Sequence, residues 1–339
     1  MNQKKKFKGK RSTTRLIALG FALIIVIGTI LLSLPVAVRS GHPDVLNALF
    51  TATSATCVTG LVVADTYQNW TTFGILVIFG MIQIGGLGFM TIGVYISIIL
   101  KKKIGLKQRE NLHESVNSME IAGVVNLARK IVQGTLLIEG IGAVLLSTRF
   151  IPRYGVLRGI AFSIFHAVSA FCNAGFDLMG YDEAYSSLVS FEGDVLVNVV
   201  VMFLILTGGI GFVVWDDLMR NKWHFKKYLL HTKIVLTVTI GLTVTTTILY
   251  LIIENQGVLA GLDPLEKVLG AAFCSVTPRT AGFNTTDVAG LSNAGKMLTI
   301  LLMFVGGSPG STAGGAKTTT IVVLFLYAAA MIRNHEDIN

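Results

Sequence analysis

Three short segments of the sequence end in a glycine and could bind a cation without charged side chains. They read FTATSATCVTG, FHAVSAFCNAG and FCSVTPRTAG, and the third is one residue shorter. Glycine permits the torsions that aim successive backbone carbonyls at one axis, where they can replace the hydration shell of an alkali cation. Neutral carbonyls suit a monovalent cation better than calcium. The candidate ion-binding strips are Cys57, Val58, Thr59, Gly60 and Leu61; Cys172, Asn173, Ala174, Gly175 and Phe176; and Arg279, Thr280, Ala281, Gly282, Phe283 and Asn284.

Each strip carries a single glycine, like a degenerate form of the TVGYG loop of potassium channels. Fewer glycines place fewer carbonyls rigidly, so we expect weak discrimination of potassium from sodium. Asp65, Asp177 and Asp287 follow the three glycines by five, two and five residues. They could form an outer acidic rim that concentrates cations, or they could be ordinary solvated loop acids.

A second glycine-rich segment, VGGSPGSTAGGAKT, runs from Val305 to Thr318 inside an apolar stretch. Its five glycines and one proline disfavour a continuous helix. A Walker A phosphate loop is a poor fit, because Ala316 separates Gly315 from Lys317 and no strand precedes the segment. We predict an intramembrane gate loop formed by Gly306, Gly307, Ser308, Pro309, Gly310, Ser311, Thr312, Ala313, Gly314, Gly315, Ala316 and Lys317.

Lys317 would place one ammonium group at membrane depth, where a lone charge is costly and indicates function. It could act as a plug that repels potassium until it moves. The alternative is a lysine near a helix end whose charged head reaches the membrane surface.

The elements that position these segments recur three times. A double glycine follows each strip, at Gly85, Gly208 and Gly306. The semi-polar segments before the strips, 44–56, 158–171 and 265–277, have roughly 13 residues, about 20 Å of helix, which is too short to span a membrane. We predict an all-α integral membrane protein of repeated helix–pore helix–helix units; amphipathic outer loops are the alternative. The double glycines of the first two units would permit close helix packing within continuous second helices.

Composition places the chain in a membrane. It is 52% hydrophobic and 14% charged, with a mean hydropathy of +0.68, whereas soluble domains are about 25% charged. Such long apolar runs are typical of membrane spans. About six spans are predicted, at 16–38, 66–100, 131–148, 195–214, 234–253 and 297–332.

The positive charge is explained by topology. Of 28 Lys and Arg residues, 20 lie in 1–15, 101–130, 220–233 and the C-terminal tail. Seven lie in the intervening loops. Basic flanks stay on the cytoplasmic side, so we expect a multi-pass protein of the inner (plasma) membrane with both termini cytoplasmic. A nucleic-acid partner is therefore not expected.

These features divide the chain into alternating membrane and cytoplasmic segments. The predicted divisions are a basic cytoplasmic N-terminus (1–15), repeat 1 (16–100), a cytoplasmic connector (101–130), repeat 2 (131–220), a second cytoplasmic connector (221–233), repeat 3 (234–332) with the gate loop 306–317, and a tail (333–339).

The repeated unit, the strips at Gly60, Gly175 and Gly282 and the loop 306–317 together resemble the Ktr/Trk/HKT superfamily, most closely the membrane subunit of Ktr-type potassium transporters. The resemblance implies potassium transport, filter carbonyls at the strips and gating by the loop. It also implies a homodimer in membrane lipid, regulated by a cytoplasmic ring of nucleotide-binding RCK subunits. Potassium, or sodium as a second ion, is transported cargo, and no cofactor is expected.

The resemblance also implies four units, and three are seen in this sequence. We therefore expect the chain to lack the fourth repeat, and an inactive fragment or a membrane scaffold is an alternative function. A membrane-embedded enzyme is the least favoured reading, because the spans hold no HExxH, paired-carboxylate or Ser–His motif. We predict that the chain is not an enzyme.

Overall fold

The computed structural model describes residues 13–100, 105, 111–113, 123–222 and 224–332. Within these residues the fold is helical, with only isolated bridges between extended residues. Most of the predicted connector 101–130, most of the N-terminal segment and the tail 333–339 lie outside the described part. The α-helices are α1 (Thr13–Leu32), α2 (Val45–Cys57), α3 (Thr66–Asn69), α4 (Thr72–Leu87), α5 (Phe89–Ile99), α6 (Val124–Tyr154), α7 (Val156–Phe171), α8 (Val195–Gly209), α9 (Phe212–Asn221), α10 (Leu230–Ile253), α11 (Pro264–Val276), α12 (Asn293–Phe304) and α13 (Thr318–Ile332). Short 3-10 helices lie at Pro35–Ala37, Met179–Tyr181, Val189–Phe191 and Phe225–Lys227.

One arrangement occurs three times along the described residues. A long apolar helix (α1, α6 or α10) packs on a short helix (α2, α7 or α11), and a broken helix follows. The short helices begin at 45, 156 and 264, where the sequence predicts 44, 158 and 265. They have 13, 16 and 13 residues, too few to cross about 30 Å of hydrocarbon. The all-α, helix-rich membrane fold is thus confirmed.

Within the described residues, fewer unbroken helices are long enough to span a membrane than the six spans predicted from the sequence. Among the described residues, α1, α6 and α10 are each long and apolar enough to cross a membrane, and the bent pairs α4–α5 and α8–α9 raise the number to five. The predicted sixth span, 297–332, consists of α12 and α13, which have 12 and 15 residues. The segment between them is not helical.

The second helices of the first two units are not continuous, which corrects the prediction. The chain bends by 98° between α4 and α5 and by 97° between α8 and α9. The breaks fall at Gly88 and Gly211, whose φ angles of 77° and 94° lie outside the helical region. A helix cannot pass through such a residue, so the glycine run ends one helix and starts the next.

Close packing at the double glycines is confirmed. A Cβ atom at Gly85 would collide with the carbonyl oxygen of Thr56, and one at Gly208 with that of Phe171. Both carbonyls belong to the last turn of a short helix. The glycines therefore let the second helix of each unit approach the end of its short helix, the point at which a candidate strip begins.

Replacing Gly85 with alanine should destabilise the protein, because the added methyl group must displace the backbone at Thr56. Overpacking of this kind costs about 1–3 kcal/mol. Gly80 lies in the same helix with no neighbouring atom within 4 Å of its Cβ position, so Gly80→Ala is the matched control. Thermal unfolding in detergent should show a lower Tm for Gly85→Ala alone. Equal Tm values for both variants would contradict this account of the packing.

Candidate functional site

The three candidate strips start where the short helices end. The first and third short helices are capped at their N-terminal ends, by Asp44, whose carboxylate accepts the Leu46 amide at 2.9 Å, and by a capping box of Asp263 and Glu266. Their last helical residues are Cys57, Phe171 and Val276. The C-terminal carbonyls of a helix carry partial negative charge, which favours a nearby cation. Each strip therefore begins in an environment suited to positive ions.

The backbone of the three strips follows one pattern. The residue two before each glycine has a positive φ, 56° at Val58, 56° at Asn173 and 64° at Thr280. The glycines themselves have φ angles of 75°, 70° and 86°. Left-handed torsions are rare for residues other than glycine and are unfavourable for β-branched side chains such as Val58 and Thr280. The same strained backbone at the same repeat position indicates a functional constraint.

The three glycines meet at one place. A Cβ atom on Gly175 would lie 3.0 Å from the Cα of Gly282, 3.3 Å from that of Gly60 and 2.6 Å from the carbonyl oxygen of Ala281. In the described part of the chain, no backbone or side-chain donor bonds to the carbonyls of Thr59, Gly60, Ala174, Gly175, Ala281 and Gly282. These oxygens are free to coordinate a cation.

The carbonyl of the last apolar residue of each strip, unlike those near the glycines, accepts a hydrogen bond from a hydroxyl. The hydroxyl of Ser54 donates to the carbonyl of Leu61 at 2.7 Å, and that of Ser169 donates to Phe176 at 2.6 Å. Thr277 donates to Phe283 in the third unit. A hydroxyl in the short helix, or directly after it in the third unit, therefore anchors the far end of every strip. Thr277 was missed from the sequence, although it lies five residues before its glycine where the other hydroxyls lie six before theirs.

The remaining strip residues have different surroundings. Cys57 is exposed, whereas Cys172 is buried within 4.0 Å of Gln83 and 3.9 Å of Glu139. The buried guanidinium of Arg279 donates to the hydroxyl of Thr243 rather than reaching the glycines. Asn284 is bonded through its backbone to Ser187 and Leu188, in the loop that follows the second strip.

A cavity of about 460 Å³ opens beside the glycines. Gly60, Gly175 and Gly282 line it together with Asp65 and Asp177. Asp287 is exposed and is not among the lining residues, so only two of the three predicted rim acids face this space. Burial, with the neighbouring charge of Asp65, raises the pKa of Asp177 to about 6.

The predicted gate loop is a compact non-helical segment. Its two arms approach at the glycines, since a Cβ on Gly306 would lie 2.7 Å from the Cα of Gly315. The loop bonds to the break in the second unit: the Ser308 and Thr312 amides donate to the carbonyls of Gly209 and Gly208 at 3.0 and 3.3 Å. The break between α8 and α9 therefore supplies the backbone acceptors that hold the loop.

Lys317 is half-buried, and its ammonium donates to the carbonyl of Ala313 at 2.8 Å. Ala313 lies four residues before Lys317 in the same loop. In this conformation the charge is held by the loop itself instead of pointing freely along a pore. The buried members of the loop are Gly306, Gly307, Ser308, Thr312 and Ala313, and the exposed ones are Gly314, Gly315 and Ala316.

Fold and site together define a helical membrane protein in which three short helices end in strips whose glycines meet at one place. Within the described residues, the carbonyls at and before these glycines accept no hydrogen bond. The model of the TrkH family, described as "Cation transport protein", matches residues 2–339. The chain belongs to this family. The relatives that it matches are transporters rather than enzymes.

Individual relatives agree with this placement. The chain is 45% identical over 312 residues to "Potassium/sodium uptake protein NtpJ" of Enterococcus hirae, covering 91% of this chain and 68% of the relative. It is 46% identical over 301 residues to "Ktr system potassium uptake protein B" of Bacillus subtilis, covering 88% and 66%. The crystal structure of the potassium transporter TrkH from Vibrio parahaemolyticus has the same fold, with a TM-score of 0.68, 20% identity and coverage of 98% and 64%. The chain thus spans about two thirds of the length of these proteins.

The raised pKa of Asp177 predicts a pH dependence. A carboxyl with this pKa is charged at pH 7 and becomes neutral as the pH falls through about 6, whereas an ordinary aspartate stays charged to about 4. Loss of its charge should weaken the attraction of the cavity for cations, so rubidium uptake should fall between pH 7 and pH 5.

Asp177→Asn should give low uptake with no inflection near pH 6, and Asp287→Asn should keep the original profile, because Asp287 does not line the cavity. An inflection retained in Asp177→Asn would contradict the assignment. Uptake into proteoliposomes with fixed internal pH measures this directly.

Proposed function

We propose that this protein takes up potassium, with sodium as a second cation, by gated passive flow along the membrane potential. The observation that carries the proposal is the shared strip backbone, with a left-handed residue two before each of three convergent glycines. Non-helical backbone at membrane depth is tolerated where it lines a cavity filled by water or ions. The names of the relatives, which include potassium and sodium uptake, favour the same activity.

The proposed coordination uses oxygen atoms of the backbone. The carbonyls of the residues at and before Gly60, Gly175 and Gly282 replace water around the ion, and the negative ends of three short helices lower the cost of dehydration. The hydroxyls of Ser54 and Ser169, with that of Thr277, hold the strips so that these carbonyls cannot turn away.

The acidic side chains that line the cavity attract the cation. Asp65 and Asp177 line the space into which the strips open, and negative charge there raises the local concentration of cations. Asp65 accepts the Gln68 and Tyr185 amides at 2.8 and 2.9 Å, so it also fixes the wall of the cavity. Asp177 has fewer constraints and is the better candidate for direct attraction.

We assign the gate to the loop 306–317. Its small residues pack against the break between α8 and α9, and Thr312 contacts Asn173 of the second strip. Movement of the loop would carry the Lys317 ammonium with it, because the side chain is bonded to Ala313. The charge then contributes to the barrier only while the loop is in place.

We infer the partners from the resemblance to Ktr-type transporters, and the location from the distribution of Lys and Arg residues along the chain. A second copy of the chain would form a homodimer in the plasma membrane, with both termini in the cytoplasm. A cytoplasmic RCK ring would control the gate from the basic segments. One relative is named as a protein of a "Ktr system", which is consistent with more than one component.

Replacing Gly282 with serine tests the strips. Its φ of 86° strains any side chain, and a Cβ would lie 3.0 Å from the Cα of Gly175. We expect rubidium uptake to fall at least about tenfold, or its selectivity over sodium to be lost. Gly140→Ser is the matched control, since Gly140 lies in α6 with no atom within 4 Å of its Cβ position.

The measurement is growth of a potassium-uptake-deficient bacterium at low potassium, together with rubidium uptake at equal expression. Unchanged rubidium uptake together with unchanged selectivity over sodium in Gly282→Ser would show that the strip does not bind the ion. Equal loss in Gly140→Ser would show a general folding defect.

A further inference from the structure

The gate loop makes two polar contacts with the strips, and both fall on the same repeat position. The hydroxyl of Thr312 lies 3.0 Å from the side-chain oxygen of Asn173 and 3.0 Å from the carbonyl of Phe171. The amide of Gly314 donates to the hydroxyl of Thr280 at 3.2 Å. Asn173 and Thr280 are the residues two before the glycines of strips 2 and 3.

These two residues are the ones with left-handed backbone. Asn173 has a φ of 56° and Thr280 a φ of 64°. Such torsions persist where the surroundings hold them in place. The corresponding residue of strip 1, Val58, is apolar and can make no side-chain hydrogen bond. The loop therefore contacts each polar member of this set.

The Thr312 contact matters most because it is buried, whereas the bond between Gly314 and Thr280 is exposed. Asn173 is 1% exposed, and Thr312 supplies the hydrogen-bond partner of its carboxamide within the described residues. Thr312 is itself buried and also contacts the last carbonyl of α7. Leaving a buried polar group without its partner costs free energy. If the loop moved away, strips 2 and 3 would lose this support together.

We infer that the gate loop is also a positioning element of the filter: Thr312 and Gly314 hold strips 2 and 3 in their cation-binding conformation. This inference rests on the proposed function and adds a regulatory link to it. Withdrawal of the loop changes cation preference as well as flow. Because linkage is reciprocal, a cation bound at the strips favours the loop in its present position.

The test separates gating from positioning. Thr312→Val and Thr280→Val are nearly isosteric and remove only the hydroxyls. In proteoliposomes, each should raise basal rubidium flux and also strengthen the inhibition of rubidium uptake by sodium at least about fivefold, the lower range of measured coupling. Thr312→Ser keeps the hydroxyl and should restore the original ratio.

Thr148→Val is the matched control, because the Thr148 hydroxyl bonds to the carbonyl of Leu145 at 2.7 Å within α6, outside the loop and the strips. It should keep the original selectivity. Should Thr312→Val fail to fold, Thr280→Val carries the same test at a less buried site.

Higher flux with an unchanged sodium-to-rubidium ratio in both valine variants would overturn the inference and leave a simple gate. Failure of the proposed function has a different signature. In that case the unmodified protein takes up no rubidium, or Gly282→Ser has no effect.

Discussion

The constraint on which this structure depends is the need to satisfy backbone polar groups within a membrane. A helix satisfies them internally, and non-helical backbone at that depth needs another partner. The three strips leave the carbonyls around Gly60, Gly175 and Gly282 without donors in the described part of the chain. In the proposed function, a dehydrated cation is the partner of these carbonyls. The short helices and the anchoring hydroxyls of Ser54 and Ser169 hold the strips in that state.

The repeated unit solves one packing problem in three places. A short helix must end near the centre of the protein, and the second helix of its unit must pass close by. Glycine at Gly85 and Gly208 removes the side chains that would prevent the approach. In the third unit the same position becomes the start of the loop 306–317, which rests on the break of the second unit. A motif that serves packing in two units thus starts a non-helical loop in the third.

Much of this was predictable from the sequence. The short helices follow from semi-polar segments of limited length and differ from prediction by at most two residues at either end. The left-handed backbone at Val58 and Thr280 was not predictable, because β-branched residues ordinarily avoid it and only tertiary contacts impose it. The bends after α4 and α8 were missed because apolar composition continues through Gly88 and Gly211. The exclusion of Asp287 from the cavity depends on loop geometry that spacing alone does not encode.

In the proposed function, backbone oxygens of the three strips bind a monovalent cation. Rubidium or thallium soaked into crystals of the protein gives an anomalous signal at each bound ion. We expect a peak among the carbonyls of Thr59, Gly60, Ala174, Gly175, Ala281 and Gly282, and loss of that peak in Gly282→Ser crystals. Peaks confined to the acidic cavity or to the gate loop, with none among these carbonyls, would contradict it.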